Sequence, residues 1–305
     1  MINWTQARQS LLENRPASTL PPRVKLPVLP LAVTKFSQKA EDPEASPREL
    51  GAIIETDSGL TTELLKYVNS ASMGLAQKAS SGAHAIAMLG VRETKLHLMT
   101  TALQRMMKKR ESKLLNIDNF WAANLERAIL AREVAQLLRA DCNLAFAGSM
   151  LQDFLLPAVT NELFPAYYQF TKDQDDAPVN LIDFERKTFQ WDHAETGAHV
   201  MSNWGFPDEL LCCVLLHHRG LALLADKQFG RTAAAAIAVS ALMPGPLRQV
   251  HDGIAQLIRL ESAWPQFDLL AIATRVDEQY QLMSPGPPNP FSFLRVCQKA
   301  LVGAR

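Results

Sequence analysis

The chain has 305 residues, 48% of them hydrophobic, with 31 Lys+Arg against 31 Asp+Glu and a formal net charge of zero. That is enough apolar material for a sizeable core in one large domain or two smaller ones. The charge balance argues against general affinity for nucleic acid, which needs an electropositive footprint. Four cysteines (Cys142, Cys212, Cys213 and Cys297) include no C-x-x-C pair. No disulfide framework is therefore expected, and a reducing compartment fits best. The opening MINWTQARQS has no apolar signal core. The Ala-rich stretch 232–243 falls short of the roughly 20 residues that a membrane span requires. A cytoplasmic protein without a membrane segment is the expectation.

Residues 1–19 read as a lead-in with a short helix at most. The segment 20–30 (LPPRVKLPVLP) is proline-dense and extended, because proline fixes φ and restricts the residue before it. Residues 31–40 read as a helix. Ser46-Pro47-Arg48-Glu49 is a helix start, with Ser46 as cap, Pro47 at the first helical position and Glu49 closing a capping box. That helix carries Leu50, Ile53 and Ile54 and breaks at Asp57-Ser58-Gly59. Leu60, Leu64 and Val68 continue at helical spacing as far as Asn69-Ser70. Gly74 and Gly82 mark a turn, Ser81 caps a helix through Leu89, and Gly90 separates it from a helix over 91–110. The basic run 105–113 (RMMKKRESK) reads as the solvated end of that helix, where cations suit the dipole.

The second half is also helical. Asp118 is expected to cap a helix bearing Trp121, Leu125, Ala128, Ile129, Val134 and Leu138. A helix over 144–156 follows, stopped by Pro157, then helices over 158–169 and 179–190. Asp192 can cap 193–203. Pro207 opens 208–218, with Gly220 just past its end, and a helix over 231–243 is ended by Pro244-Gly245-Pro246. Three more cover 249–261, 267–283 and 291–302, with a rigid proline turn at 284–288 before the last. No alternating strand and no solenoid-period repeat is visible. The fold class is all-α. It is read as a lead-in (1–19), an N-terminal helical part (20–115), a second helical part (116–245) and additional C-terminal helices (246–305).

The chemistry centres on 147–157, an apolar helical run with one polar pair, Gln152-Asp153. An unpaired buried carboxylate is expensive, so Asp153 needs a partner. His193, His217 and His218 are the downstream candidates. His84, His97, His199 and His251 belong to no constellation. Ser149 is not a nucleophile elbow, since the stretch is G-S-M and no strand precedes it.

A series of spaced positions resembles the HDOD family, bacterial regulatory modules related to the HD-domain metal phosphohydrolases. It runs through Leu26-Pro27-Val28-Leu29-Pro30, Glu49-Leu50, Ile53-Ile54, Asp57 to Thr61, Leu64-Leu65, Val68 to Ala71, Ala85-Ile86 and Leu89-Gly90. It continues with Trp121, Gly148 to Asp153, Glu185, Asp192 to Gly197, Trp204, Pro207 and His217-His218. The resemblance covers about 20–245 and implies an HD-like helical bundle. An active HD enzyme resembles H…HD…D. Here the pair is Gln152-Asp153, the upstream Trp121-Ala122-Ala123-Asn124 offers no His, and Ala236-Ile237-Ala238-Val239-Ser240 carries no carboxylate. Gln is a poor substitute for His, its amide oxygen being neutral and weakly basic. Asp153 survives, with His193 and His217 or His218 as extras of the kind seen in HD-GYP relatives, though Arg219-Gly220-Leu221 replaces the Gly-Tyr-Pro part.

The resemblance therefore implies a non-catalytic module of bacterial signal transduction that binds a protein or small ligand. It carries a degenerate metal site at Gln152, Asp153, His193, His217 and His218, no catalytic residue and no expected cofactor. A metal-dependent phosphohydrolase using Asp153, His193, His217 and His218 in an altered ligand set is the main alternative. A nucleotide or nucleic-acid binder helped by Lys108, Lys109 and Arg110 is the second.

Overall fold

The computed structural model describes residues 2–12, 24, 26, 28–70, 73, 77–245, 247–284 and 292–303. Six residues of the proline-dense 20–30 stretch, Gly74 and the proline turn at 285–288 lie outside them. Among the described residues the chain is helical and holds no strand, as the sequence pattern predicts. It forms two units: Leu26–Lys109 with Ser202–Pro207, and Met1–Lys25 with Arg110–Met201 and Asp208–Arg305.

The larger unit begins with α1 (Trp4–Leu12). The smaller unit holds α2 (Leu31–Lys39), α3 (Pro47–Ile54), α4 (Ser58–Val68), α5 (Gly82–Leu89) and α6 (Val91–Lys108). Their starts follow local chemistry. Ser46 accepts from the Glu49 amide at 3.2 Å, and Glu49 accepts from the Ser46 amide at 2.9 Å, a complete capping box. Asp57 caps α4 through the Leu60 amide and Ser81 caps α5 through the His84 amide. Gly90 has a φ of +83°, which separates α5 from α6. Leu50, Ile54, Leu60, Leu64, Ile86 and Leu103 fill the core of this unit. Arg105, Lys108 and Lys109 are exposed at the end of α6.

The larger unit continues with α7 (Ile117–Leu138), α8 (Cys142–Leu151), α9 (Leu156–Glu162), α10 (Phe164–Asp173), α11 (Leu181–Phe189) and α12 (His193–Asn203). Then come α13 (Asp208–Leu216), a 3-10 segment (His217–Ala225), α14 (Ala233–Ser240), α15 (Gly253–Ala263), α16 (Leu269–Met283) and α17 (Phe293–Gly303). Helix α7 is central and packs against α8, α14 and α16, while α13 packs on α1, α8 and α14. At Gly148 a Cβ would lie 2.5 Å from Ile237 and 3.0 Å from Cys213, so α8 rides directly on α13 and α14. Cys212 and Cys213 are both buried in this core. The C-terminal helices dock on α7 through acids. Arg275 and Gln279 of α16 hold Glu133 at 2.6 and 2.9 Å, and the Phe293 amide at the start of α17 donates to Glu126 at 3.0 Å.

Three local readings of the sequence are corrected. Asn116, not Asp118, caps α7, because its side chain reaches the Asn119 amide at 2.9 Å, leaving Asp118 in the first turn. The run 144–156 is not one helix. Asp141 caps α8 earlier, at the Asn143 and Leu144 amides. Helix α8 then ends at Leu151 and a tight turn follows, in which the Phe154 and Leu156 amides donate to the carbonyls three residues back. Pro157 therefore opens α9 instead of stopping α8, a position where its missing N–H costs nothing. Finally, α13 stops at Leu216, so His217 and His218 lie in the 3-10 segment, which is itself broken at Gly220 (φ +53°).

A Cβ at Gly51 would collide with the backbone of Ala83, so α3 and α5 approach too closely for any side chain there. Gly51→Ala is expected to destabilise the protein by about 1–3 kcal/mol, read as a lowered midpoint in thermal or denaturant unfolding.

Candidate functional site

Every site residue expected from the sequence meets in one place in the larger unit. The turn between α8 and α9 points Asp153 inward, α12 brings His193, and the 3-10 segment brings His217 and His218. Gln152 lies beside Asp153, its amide 3.4 Å from Oδ2. Asp153, His193 and His217 are buried, and His218 is partly exposed.

The two oxygens of Asp153 face different partners. Oδ2 accepts from Arg127 Nη1 at 2.7 Å and from Gln249 Nε2 at 2.8 Å. Oδ1 lies 3.2 Å from His193 Nε2 and 3.4 Å from His217 Nε2. Arg127, on α7, also donates to the Met243 carbonyl at 3.1 Å, tying the turn after α14 to the carboxylate. His193 is anchored from behind. Its Nδ1 lies 2.7 Å from Glu185 Oε2, the Glu185 carboxylate also takes the His193 amide, and Tyr167 donates to the other Glu185 oxygen at 2.7 Å. His217 Nδ1 points at the Val214 carbonyl at 2.6 Å. Both rings therefore turn their Nε2 atoms toward Asp153, and His218 Nε2 lies 3.0 Å from that of His193.

The charges follow from these contacts. Burial opposes a charged Asp153, but the neighbouring His193 and His217 rings and the Arg127 guanidinium outweigh it and hold the carboxyl well below its usual range. Burial also opposes a protonated His193, yet the Glu185 carboxylate and Asp153 raise it to about 10. His218 is driven well below the ordinary imidazole value by burial and by the two adjacent rings.

The donor set fits a cation. One ligand atom from each of Asp153, His193, His217 and His218 lies within 4.8 Å of the others. A tetrahedral ion with bonds of about 2.1 Å keeps its donors about 3.4 Å apart, close to the 3.2 and 3.4 Å found around Asp153 Oδ1. Asp153 Oδ1 and His217 Nε2 are buried and lack a hydrogen-bond partner. Glu185 and the Val214 carbonyl occupy the supporting positions that orient metal-bound imidazoles.

Sequence reasoning missed Arg127, Gln249 and Tyr167 and left Glu185 without a role. Arg127 had a signal: Asn124, Glu126 and Arg127 interrupt an otherwise apolar run of α7, and all three are buried. Gln249 had none, since it lies in a loop 96 residues from its partner.

Among the described residues the chain is helical and gathers three histidines around one buried aspartate. A family model for the HDOD domain matches residues 26–220, and the chain belongs to that family. A protein of Treponema pallidum (strain Nichols), named only as uncharacterized, is 23% identical over 201 residues. The match spans 63% of this chain and 37% of that protein. The fold is similar to the crystal structure of an HDOD domain protein with unknown function from Geobacter sulfurreducens (TM-score 0.57, 19% identity, 90% of this chain and 98% of that one). It is also similar to a Shewanella amazonensis SB2B protein whose name carries a provisional assignment as a metal-dependent phosphohydrolase (0.59, 17%, 85% and 89%). A third similar structure, from Marinobacter aquaeolei VT8, is named provisionally as a signal transduction protein (0.54, 17%, 92% and 64%).

Removing one partner from a buried ion pair leaves an uncompensated charge. Arg127→Met in the presence of chelator is expected to lose about 3–5 kcal/mol of unfolding free energy. Adding Asp153→Asn to it is expected to cost less than the sum of the two single changes in a double-mutant cycle.

Proposed function

We propose that the chain is a regulatory module of bacterial signal transduction, acting in the cytoplasm by binding a partner protein or small ligand, without turnover of a phosphoester. The observation that carries this reading is the way Asp153 is used. Its Oδ2 is taken by Arg127 and Gln249 at 2.7 and 2.8 Å, and its Oδ1 faces two imidazoles. The chain's own guanidinium thus supplies one positive charge at the carboxylate. Water activation by a metal needs an open coordination position and room for the substrate. Here four protein donors suffice to complete a tetrahedral sphere, and three of their residues are buried. A cation preferred by imidazole, such as zinc, iron or nickel, would be held by Asp153, His193, His217 and His218. It would supply a cross-link between the α8–α9 turn, α12 and the 3-10 segment. The similar fold of the Marinobacter protein named for signal transduction agrees with this reading.

A second reading, a metal-dependent phosphohydrolase, is favoured by the same donor spacing and by the partial exposure of His218. The similar fold of the Shewanella protein agrees with that alternative. The two readings are separated by turnover. Protein loaded in turn with manganese, iron, nickel and zinc, its metal content measured by plasma mass spectrometry, is expected to leave bis-p-nitrophenyl phosphate and cyclic dinucleotides unhydrolysed. Hydrolysis that requires the metal and disappears in Asp153→Ala and His217→Ala would establish the enzyme instead.

A further inference from the structure

A cavity of about 620 Å³ lies in the larger unit, and its lining includes none of the residues around Asp153. Its walls come from the end of α7, the 3-10 segment and the loop after it, and the end of α15. Leu137, Leu138, Leu224 and Leu260 provide an apolar side, and Trp264 completes it. Two cations complete the lining, Arg139 and Arg231, both exposed. Among the described residues neither guanidinium has a hydrogen-bond or ion-pair partner, and no acid lines the cavity. Both cations sit on fixed backbone. Arg139 is the left-handed cap of α7 (φ +54°) and its amide is bonded to Ala135 and Gln136. Arg231 follows Gly230, where a Cβ would collide with the Leu224 carbonyl.

Two unpaired guanidinium groups beside an indole and four leucines define a ligand of mixed character. Guanidinium groups grip a phosphate or carboxylate through paired N–H donors. An indole face and leucine side chains take a flat apolar ring. The volume falls within the range of about 300–1,000 Å³ usual for small-ligand pockets. We propose that this cavity binds a small ring-bearing phosphate ester of the size and charge of a nucleoside monophosphate. The phosphate lies at Arg139 and Arg231, and the ring lies against Trp264 and the leucines. The proposal goes beyond the reading of the Asp153 cluster and does not require a metal there. The ligand would nevertheless touch the elements that carry the cluster, since Arg127 lies on α7 and His217 and His218 lie on the 3-10 segment.

The test is isothermal titration of the full chain with the 5′-monophosphates of adenosine, guanosine, cytidine and uridine, with the free nucleosides, and with inorganic phosphate. At least one monophosphate is expected to bind at one equivalent, at least tenfold more tightly than its nucleoside or phosphate alone. Arg231→Gln and Arg139→Asn, the latter keeping a residue that tolerates the left-handed backbone, are each expected to weaken it at least tenfold with circular-dichroism melting unchanged. Trp264→Ala is expected to weaken the monophosphate and leave inorganic phosphate unaffected. Three outcomes would overturn the proposal: no binding of any monophosphate at millimolar concentration, unchanged affinity in both arginine variants, or binding abolished by excess EDTA. The last would place the phosphate on a cation at Asp153.

Discussion

The buried charge of Asp153 is the constraint around which the larger unit is arranged. A carboxylate cannot stay ionised in an apolar interior without compensation, and compensation here comes from four separate stretches of chain. Arg127 arrives on α7, Gln249 on a loop, and His193 and His217 on α12 and the 3-10 segment. Each partner is fixed in turn: Arg127 by the Met243 carbonyl, His193 by Glu185, and Glu185 by Tyr167. The polar network is small, but it decides where α8 must end and which way the next turn must face.

The network is also asymmetric. One oxygen of Asp153 is committed to neutral and cationic donors of the protein, while the other meets imidazole nitrogens whose far sides are already bonded. The Oδ2 side is a closed hydrogen-bonded core, while Asp153 Oδ1 and His217 Nε2 stay buried without a hydrogen-bond partner.

The parts of the structure legible in the sequence are those decided within three or four residues. Ser46 with Glu49, Ser81 and Asp192 each satisfy an amide three positions on, and each reads as a helix start, whereas Asp57, read only as a break, also caps the helix that follows it. The convergence of Gln152, Asp153, His193, His217 and His218 followed from the family pattern, because periodicity alone does not place residues 40 to 65 positions apart. What stayed hidden was decided by competition or by distance. Asn116 and Asp118 are both capable caps, and only the backbone path selects Asn116. Pro157 is equally suited to following one helix and opening another. The Arg127 contact spans 26 residues and the Gln249 contact 96, with no local pattern to announce either.

The family match ends at residue 220, but the folded unit does not. The face of α7 turned toward the C-terminal helices carries Glu126 and Glu133, both buried, and their partners lie on α16 and at the start of α17. A chain cut at the edge of the matched segment would remove the Arg275 and Gln279 donors from Glu133 and the Phe293 amide from Glu126, and would bare the helix that also positions Arg127. The C-terminal helices therefore act as a lid on the central helix, held there by the two carboxylates it turns toward them.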